Sequence, residues 1–158
     1  MQETYMQEAL KQAQKAYEKG EIPVGAVVVK DNQIIARAHN LKESKKDTTK
    51  HAEIIAIQKA SKKIGAWRLQ DCDMYVTLEP CSMCAGAMIQ ARIRHLYIGT
   101  MDDKTGACGS VLNLLEYPFN HRIEITTGVM QKECEAMLKQ FFRELRQQKS
   151  KLVQKNLQ

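Results

Sequence analysis

The sequence predicts a single α/β domain with a mixed sheet, and three observations lead to that prediction. The chain has 158 residues, 44% of them hydrophobic and 27% charged, a composition typical of one globular domain. Runs rich in β-branched residues alternate with segments whose apolar residues recur every three or four positions. The first two predicted strands form a hairpin, so the sheet is expected to be mixed rather than all parallel.

The first half of the chain contains a helix, a β-hairpin and a second helix. Apolar residues at helical spacing predict the first helix over 5–17. The segments 24–29 and 33–39, joined by a short polar turn, predict the hairpin. Residues 42–50 are polar and lysine-rich, which predicts a loop. The helix after this loop carries isoleucines on its buried side and ends before Gly65.

The second half alternates strands and helices. Pro80 opens the helix of this half, because its fixed φ suits a first helical turn. The predicted segments are strands over 73–78, 93–99 and 122–127, a helix over 80–92, a loop over 101–110 and a last helix over 133–147.

The chain is expected to divide into a domain over 1–147 and a basic polar tail over 148–158 that is frayed. From residue 139 onwards six lysines and arginines stand against one acidic residue, Glu144. Such a basic helix and tail suit phosphate contacts. A solvated helix end whose cations complement the helix dipole gives the same pattern.

Charge and cysteine content narrow the functional class. The net charge is +6 and the pI about 9.1, which allows a polyanionic partner such as nucleic acid without requiring one. Residues 1–14 are polar, unlike a signal peptide, and the longest apolar run is far shorter than the roughly 20 residues of a membrane span. We therefore expect a cytoplasmic protein that does not contact a membrane. Five cysteines, an odd number, argue against a disulfide framework.

The pair Cys81 and Cys84 carries the strongest chemical signal. A three-residue step on a helix places both sulfurs on one face, where they can share a metal ion. His51, at the start of another helix, supplies an imidazole and leaves one position open, as in a catalytic zinc site. The pair alone is also compatible with a redox dithiol or a closed zinc site, but no second CxxC or HxxxH completes four ligands.

Glu53 is the candidate for moving protons at such a site, because a water activated by zinc must lose one. At about 100° per residue, His51 and Glu53 lie on opposite sides of an ideal helix. Both side chains can reach one point only if they lie in the first turn, at the mouth of the helix.

These motifs resemble those of the zinc-dependent cytidine deaminase superfamily, and most closely the bacterial tRNA-specific adenosine deaminases. The segments His51-Ala-Glu53 and Thr77-Leu-Glu-Pro-Cys-Ser-Met-Cys84 carry the resemblance, which extends from about Tyr5 to Arg146. It implies a three-layer α/β/α domain with a mixed sheet of about five strands. It also implies a homodimer that converts the wobble adenosine of the tRNA anticodon loop to inosine.

The resemblance assigns the chemistry to four side chains. His51, Cys81 and Cys84 would bind one zinc ion per subunit. Water activated by the zinc would attack C6 of a flipped-out base, which is the known mechanism of these deaminases. Glu53 would carry a proton from that water to the adenine ring nitrogen and then to the departing ammonia.

The resemblance also implies contacts with the anticodon stem-loop. Asn40 would contact the base or ribose, although it could also simply cap a turn. Asp102 would lie near the sugar, and one of the last two phenylalanines would stack on a neighbouring base while the other belongs to the core. The full set is Val24, Asn40, Asp102, Lys104, Asn120, His121, Arg122, Phe141 and Phe142.

The chain departs from the family pattern before His51, where Asp47-Thr48-Thr49-Lys50 replaces the usual Asp-Pro-Thr-Ala. Two other functions stay open. One is a deaminase of a free base or nucleoside, of the guanine or cytidine type, against which the 119–122 segment and the basic tail speak. The other is a catalytically silent zinc-containing RNA-binding protein, against which the intact Glu53 speaks.

Overall fold

A mixed five-stranded sheet forms the centre of the molecule, whose computed structural model describes residues 1–157. The strand order is β2-β1-β3-β4-β5. The first strand runs antiparallel to both of its neighbours, and the last three strands are parallel, so the predicted mixed sheet is confirmed. The strands are β1 (Gly25–Lys30), β2 (Gln33–His39), β3 (Cys72–Leu78), β4 (His95–Thr100) and β5 (Glu124–Thr126).

Helices cover both faces of the sheet, which confirms the three-layer α/β/α architecture. The helices are α1 (Gln2–Glu18), α2 (Lys42–Lys45), α3 (Ala52–Ile64), α4 (Ser82–Ala91) and α5 (Gln131–Leu157), with a short 3-10 helix at Leu114–Glu116. Because side chains alternate along a strand, neighbouring residues of β1 serve different cores. Val28 joins the core under α3 and α4, whereas Val27 packs with Met6 of α1 and Cys134 of α5.

The sheet brings the N-termini of α3 and α4 to one edge. Strand β3 ends at Leu78, and α4 starts four residues later at Ser82. The neighbouring strand β1 begins at Gly25, whose N–H donates to the Thr77 hydroxyl at 3.1 Å. A Cβ on Gly25 would lie 1.9 Å from the Ala9 carbonyl oxygen, so only glycine lets α1 approach this closely.

A short helix lies within 42–50, the segment predicted as a loop. The backbone N–H groups of Glu43 and Ser44 donate to the buried carboxylate of Glu21 at 2.9 and 2.6 Å, and this anchors α2. The sequence prediction missed α2 because its acceptor lies more than 20 residues away in the chain.

Helix α5 extends to Leu157, so the prediction that it ends at 147 is wrong. The added residues are mostly lysine, glutamine and leucine, which favour helix, and no glycine or proline interrupts them. Gln158, the last residue of the predicted tail, lies outside the described residues, and the division of the chain at 147 stays a prediction. Within 1–157, no helix is both long and apolar enough to span a membrane.

Candidate metal centre and its pocket

Three potential metal ligands meet where α3 and α4 begin. His51 Nδ1 lies 3.6 Å from Cys81 Sγ and 3.5 Å from Cys84 Sγ. All three atoms lie within 4.8 Å of one another. His51 is the N-cap of α3 and Cys81 the N-cap of α4, so each side chain is held by the first turn of a helix.

The spacing of these atoms fits a tetrahedral zinc ion. Zn–N bonds of about 2.0–2.1 Å and Zn–S bonds of about 2.3 Å at the tetrahedral angle place nitrogen and sulfur about 3.5 Å apart. One imidazole and two thiols form a set that suits zinc better than harder ions. Among the residues described, the cluster has three side-chain ligands, which leaves a fourth position for water or substrate.

Hydrogen bonds among the three groups of the cluster shift their pKa values. Hydrogen bonds from Cys84 and His51 lower the pKa of Cys81 to about 4. The Cys84 thiol donates one of these bonds, which raises its own pKa. The bond with Cys81 likewise raises the pKa of His51. Because thiolates and neutral imidazole are the metal-binding forms, metal uptake displaces the protons that these groups hold.

Glu53 is buried beside this cluster, in the first turn of α3. Its side chain is only 4% exposed, and burial raises its pKa to about 7. A carboxyl group in this range can both accept and donate a proton near neutral pH. His51 has extended rather than helical backbone angles (φ −77°, ψ 150°), so the two side chains meet at the helix mouth, as the sequence required.

A pocket of about 260 Å³ opens over the cluster. Its volume is smaller than that of most small-molecule sites, which measure about 300–1,000 Å³, and the pocket therefore suits a ligand no larger than a nucleoside. Its walls combine apolar and polar side chains from five segments of the chain. The lining residues are Ile22, Val24, Asn40, Lys42, His51, Ala52, Glu53, Leu78, Glu79, Cys81, Asp102 and Thr105.

A larger groove of about 840 Å³ adjoins the pocket. It lies between α5 and the loop that follows β4, and it shares Ile22, Leu78, Asp102 and Thr105 with the pocket. Four cations line it against three acidic residues, and Phe142 adds a 38%-exposed aromatic face. The cations are Lys104, Lys139, Arg143 and Arg146, and the acidic residues are Asp102, Asp103 and Glu135.

Five of the nine predicted substrate contacts lie at these two cavities. Val24, Asn40 and Asp102 line the pocket, and Lys104 and Phe142 line the groove. The two proposed roles of Asn40 are compatible, because its amide also accepts from the Lys42 N–H at 3.2 Å and donates to the Ile22 carbonyl at 3.3 Å.

Four predicted contacts lie elsewhere. Phe141 is buried and packs edge-on against Tyr17, with 5.5 Å between ring centroids, so its ring belongs to the core and cannot stack on a base. His121 lies 2.7 Å from the Ile93 carbonyl oxygen, and Arg122 donates to the Glu116 carbonyl at 3.2 Å. Together with the exposed Asn120, these two residues line neither cavity.

Two charged residues at the pocket escaped the sequence prediction. Glu79 stands inside the motif that carries the cysteines, and an acid at the end of a buried strand was the available signal. Lys42 is one of four lysines in the segment 42–50, and nothing in the sequence distinguishes it from the others.

The chain is similar to deaminases in sequence and in structure. The family model of the MafB19-like deaminases matches residues 1–146. A tRNA-specific adenosine deaminase of Bacillus subtilis is 51% identical over 98% of this chain and 96% of its own. A structure from a study of A-to-I editing by tRNA:A34 deaminases at the wobble position has a TM-score of 0.83 and 42% identity, covering 85% of this chain and 99% of its own. A guanine deaminase from Bacillus subtilis has a TM-score of 0.60 and 32% identity, covering 75% of this chain and 86% of its own.

Proposed function

We propose that this chain, which belongs to the MafB19-like deaminases and to the tRNA-specific adenosine deaminases, converts the wobble adenosine of a tRNA anticodon loop to inosine. One observation carries this proposal. The cluster of His51, Cys81 and Cys84, with Glu53 beside it, opens into a nucleoside-sized pocket that continues into a basic groove.

His51, Cys81 and Cys84 would hold one zinc ion per subunit, since the donor set and the spacing of its atoms fit that ion. When bound, zinc acts as a Lewis acid that lowers the pKa of a water molecule towards about 7. Glu53 would accept the proton that this water loses and donate it to the adenine ring nitrogen. Glu53 would then take the remaining proton from the oxygen bonded to C6 and deliver it to the leaving amino group, which departs as ammonia. In the known chemistry of this class, a C6–O bond forms and the C6–N bond breaks, so adenosine and water give inosine and ammonia.

The remaining pocket residues orient the nucleoside. Ile22, Val24 and Leu78 supply apolar surface for the base and exclude water. Asn40 contacts the base or ribose, and Asp102 lies at the junction of pocket and groove, where the sugar of the flipped-out nucleotide would pass. A base must leave its stack to enter such a pocket, and loop nucleotides do so at little cost.

The groove would bind the anticodon stem-loop. Its four cations suit the phosphates that flank the target nucleotide, and Phe142 offers a stacking face to a neighbouring base. Asn120, His121 and Arg122 remain candidate contacts outside the groove. As a tRNA-modifying enzyme, the protein would act in the cytoplasm.

We also propose that two copies of the chain form a homodimer. Apolar side chains lie exposed in the segment between β4 and β5, as expected of a surface that another chain covers. They are Val111, Leu112, Tyr117 and Phe119, which are 39–58% exposed.

A deaminase of free bases is the main alternative, because a guanine deaminase shares this fold. A free base carries no phosphates, so the cationic groove would then have no ligand. A silent RNA-binding protein would have no use for a buried carboxyl group whose pKa is raised to about 7 beside the ligand cluster.

The test is inosine formation on an anticodon stem-loop with adenosine at the wobble position. We expect zinc-loaded wild-type protein to form inosine, and Glu53→Ala to lose a factor of at least about 10² in turnover while keeping its zinc. Absence of inosine with the wild type contradicts the proposed activity. Unchanged turnover in Glu53→Ala contradicts the proposed role of Glu53.

A further inference from the structure

We propose that Glu79 is a positioning residue, whose buried carboxylate holds the 102–110 loop in the shape that builds the wall shared by the pocket and the groove. This loop brings Asp102 and Thr105 to the pocket and Lys104 to the groove. The proposal rests on the proposed function, because the benefit of a fixed loop is the binding of RNA.

The carboxylate accepts four hydrogen bonds, all from this loop. Oε1 accepts from the Asp102 N–H at 2.9 Å and from the Ser110 hydroxyl at 2.5 Å. Oε2 accepts from the N–H groups of Cys108 and Ser110 at 2.9 and 3.1 Å. The two ends of the loop are thus bound to one side chain.

Glu79 is 3% exposed and forms no salt bridge within 1–157. Burying a carboxylate without a cation is costly unless hydrogen bonds replace its hydration, and the loop donors supply that replacement. The approach is close. A Cβ on Gly106 would lie 2.2 Å from the carboxylate, so the loop folds around it only with glycine at this position.

The anchoring extends from Glu79 to the groups that face the substrate. Asp102, whose N–H is bound by Glu79, accepts with its own carboxylate from the Lys104 N–H at 3.0 Å and from the Thr105 hydroxyl at 2.7 Å. The Ala107 N–H donates to the Pro80 carbonyl at 2.8 Å, next to the metal ligand Cys81. The loop is therefore tied to the segment that carries the cysteine ligands.

The four hydrogen bonds to the carboxylate predict how a glutamine at position 79 would behave. An amide NH2 at the Oε2 position would face two N–H donors and repel both. At the Oε1 position it meets the Ser110 hydroxyl, which can reverse and accept, and only the Asp102 N–H loses its acceptor. Glu79→Gln should therefore free the backbone at Asp102 from its anchor, and adding Ser110→Ala should remove the one partner that the amide NH2 group has left.

The experiment compares Glu79→Gln, Ser110→Ala, the double variant and Val27→Ala. Val27 is buried on the opposite face of the sheet, so Val27→Ala controls for loss of global stability. Amide hydrogen exchange over 101–111, zinc content, stem-loop Kd, and KM and kcat for the stem-loop are measured for each protein. Exchange and Kd do not depend on turnover.

We expect Glu79→Gln to accelerate exchange over 101–111 and to raise Kd and KM about tenfold, as the loss of one hydrogen bond to a charged group implies. Zinc content should stay at the wild-type value and kcat within about threefold, because the hydrogen bonds of the Glu79 carboxylate go to the loop and none goes to a metal ligand or to Glu53. Ser110→Ala alone should change KM less than about threefold. The rise in KM of the double variant should exceed the product of the rises in the two single variants.

Unchanged loop exchange in Glu79→Gln, or loop exchange that rises only together with that of the whole protein as in Val27→Ala, overturns the proposal. So does a parallel loss of zinc and kcat with KM unaltered. If the wild type forms no inosine but binds the stem-loop, the proposed activity fails, and exchange and Kd still decide the role of Glu79. If the wild type does not bind the stem-loop, both proposals fail.

Discussion

The pocket and the groove adjoin each other, but they are built differently. The pocket measures about 260 Å³ and has its reactive groups in the first turns of two packed helices, with ligand atoms within 4.8 Å of one another. The groove measures about 840 Å³, and its arginines lie exposed on α5. A few fixed groups can perform the chemistry, whereas recognition of a polyanion is spread over many mobile cations. Substitutions of the ligand cluster and of Glu53 should therefore abolish turnover, whereas substitutions in the groove should weaken binding by degrees.

The largest effect is expected at the metal cluster. Cys84→Ala should lose stoichiometric zinc and at least about 10³ in turnover, since two ligands do not hold the ion in a defined geometry. Zinc content by atomic absorption and inosine formation are measured together. Cys72→Ala is the matched control, because Cys72 is also a buried thiol but lies at the other end of β3. Equal zinc loss in both variants would mean that the cluster is not the binding site.

The next effect separates phosphate binding from chemistry. Arg143→Ala combined with Arg146→Ala should raise the stem-loop KM about thirtyfold with kcat nearly unchanged, and each arginine that contacts a phosphate should account for about 1 in the slope of log affinity against log salt. The control removes two lysines, Lys62 and Lys63, from the exposed C-terminal turn of α3, outside both cavities. If this control has the same effect, binding follows net charge rather than the groove.

This contrast also describes what the sequence could predict. The proposed metal ligands and Glu53 lie in short motifs whose spacing constrains their geometry, and the structure brings them together. Which residues can line the groove depends on which face of α5 is exposed. The adjacent Phe141 and Phe142 show this, because Phe141 is buried and Phe142 is exposed. Lys42 reaches the pocket through contacts between segments distant in the chain, and no local pattern records such contacts. Glu79 stands inside the motif that carries the cysteines, but its role depends on donors from residues 102–110, more than 20 positions away.

Asn40 tests whether a pocket residue serves the substrate or only the fold, because it both lines the pocket and caps a turn. Asn40→Ala should cost about 1 kcal/mol of unfolding free energy and about tenfold in kcat/KM for the stem-loop. Asn113 is the matched control. Its side chain accepts from the Leu115 N–H at 3.2 Å in the same way, but it lies outside both cavities. Equal kcat/KM in the two variants would reduce Asn40 to a turn cap.

The two adjacent phenylalanines give the smallest expected effect on activity. Phe141→Ala should lower the unfolding free energy by about 3 kcal/mol, because its ring packs in the core. Phe142→Ala should change stability by less than about 1 kcal/mol and raise the stem-loop KM about fivefold, since base stacking contributes at least that much. Chemical denaturation and steady-state kinetics measure both quantities. A stability loss confined to Phe142→Ala would reverse the assignment.

The most direct test of the central claim is a competition assay with zinc-loaded wild-type protein. The stem-loop with a wobble adenosine, free adenosine, guanine and cytidine are offered together at equal concentration, and each deaminated product is quantified. The account predicts inosine in the stem-loop, with free adenosine, guanine and cytidine left unchanged, because only the RNA occupies both pocket and groove. Deamination of guanine or cytidine without inosine in the stem-loop would contradict it.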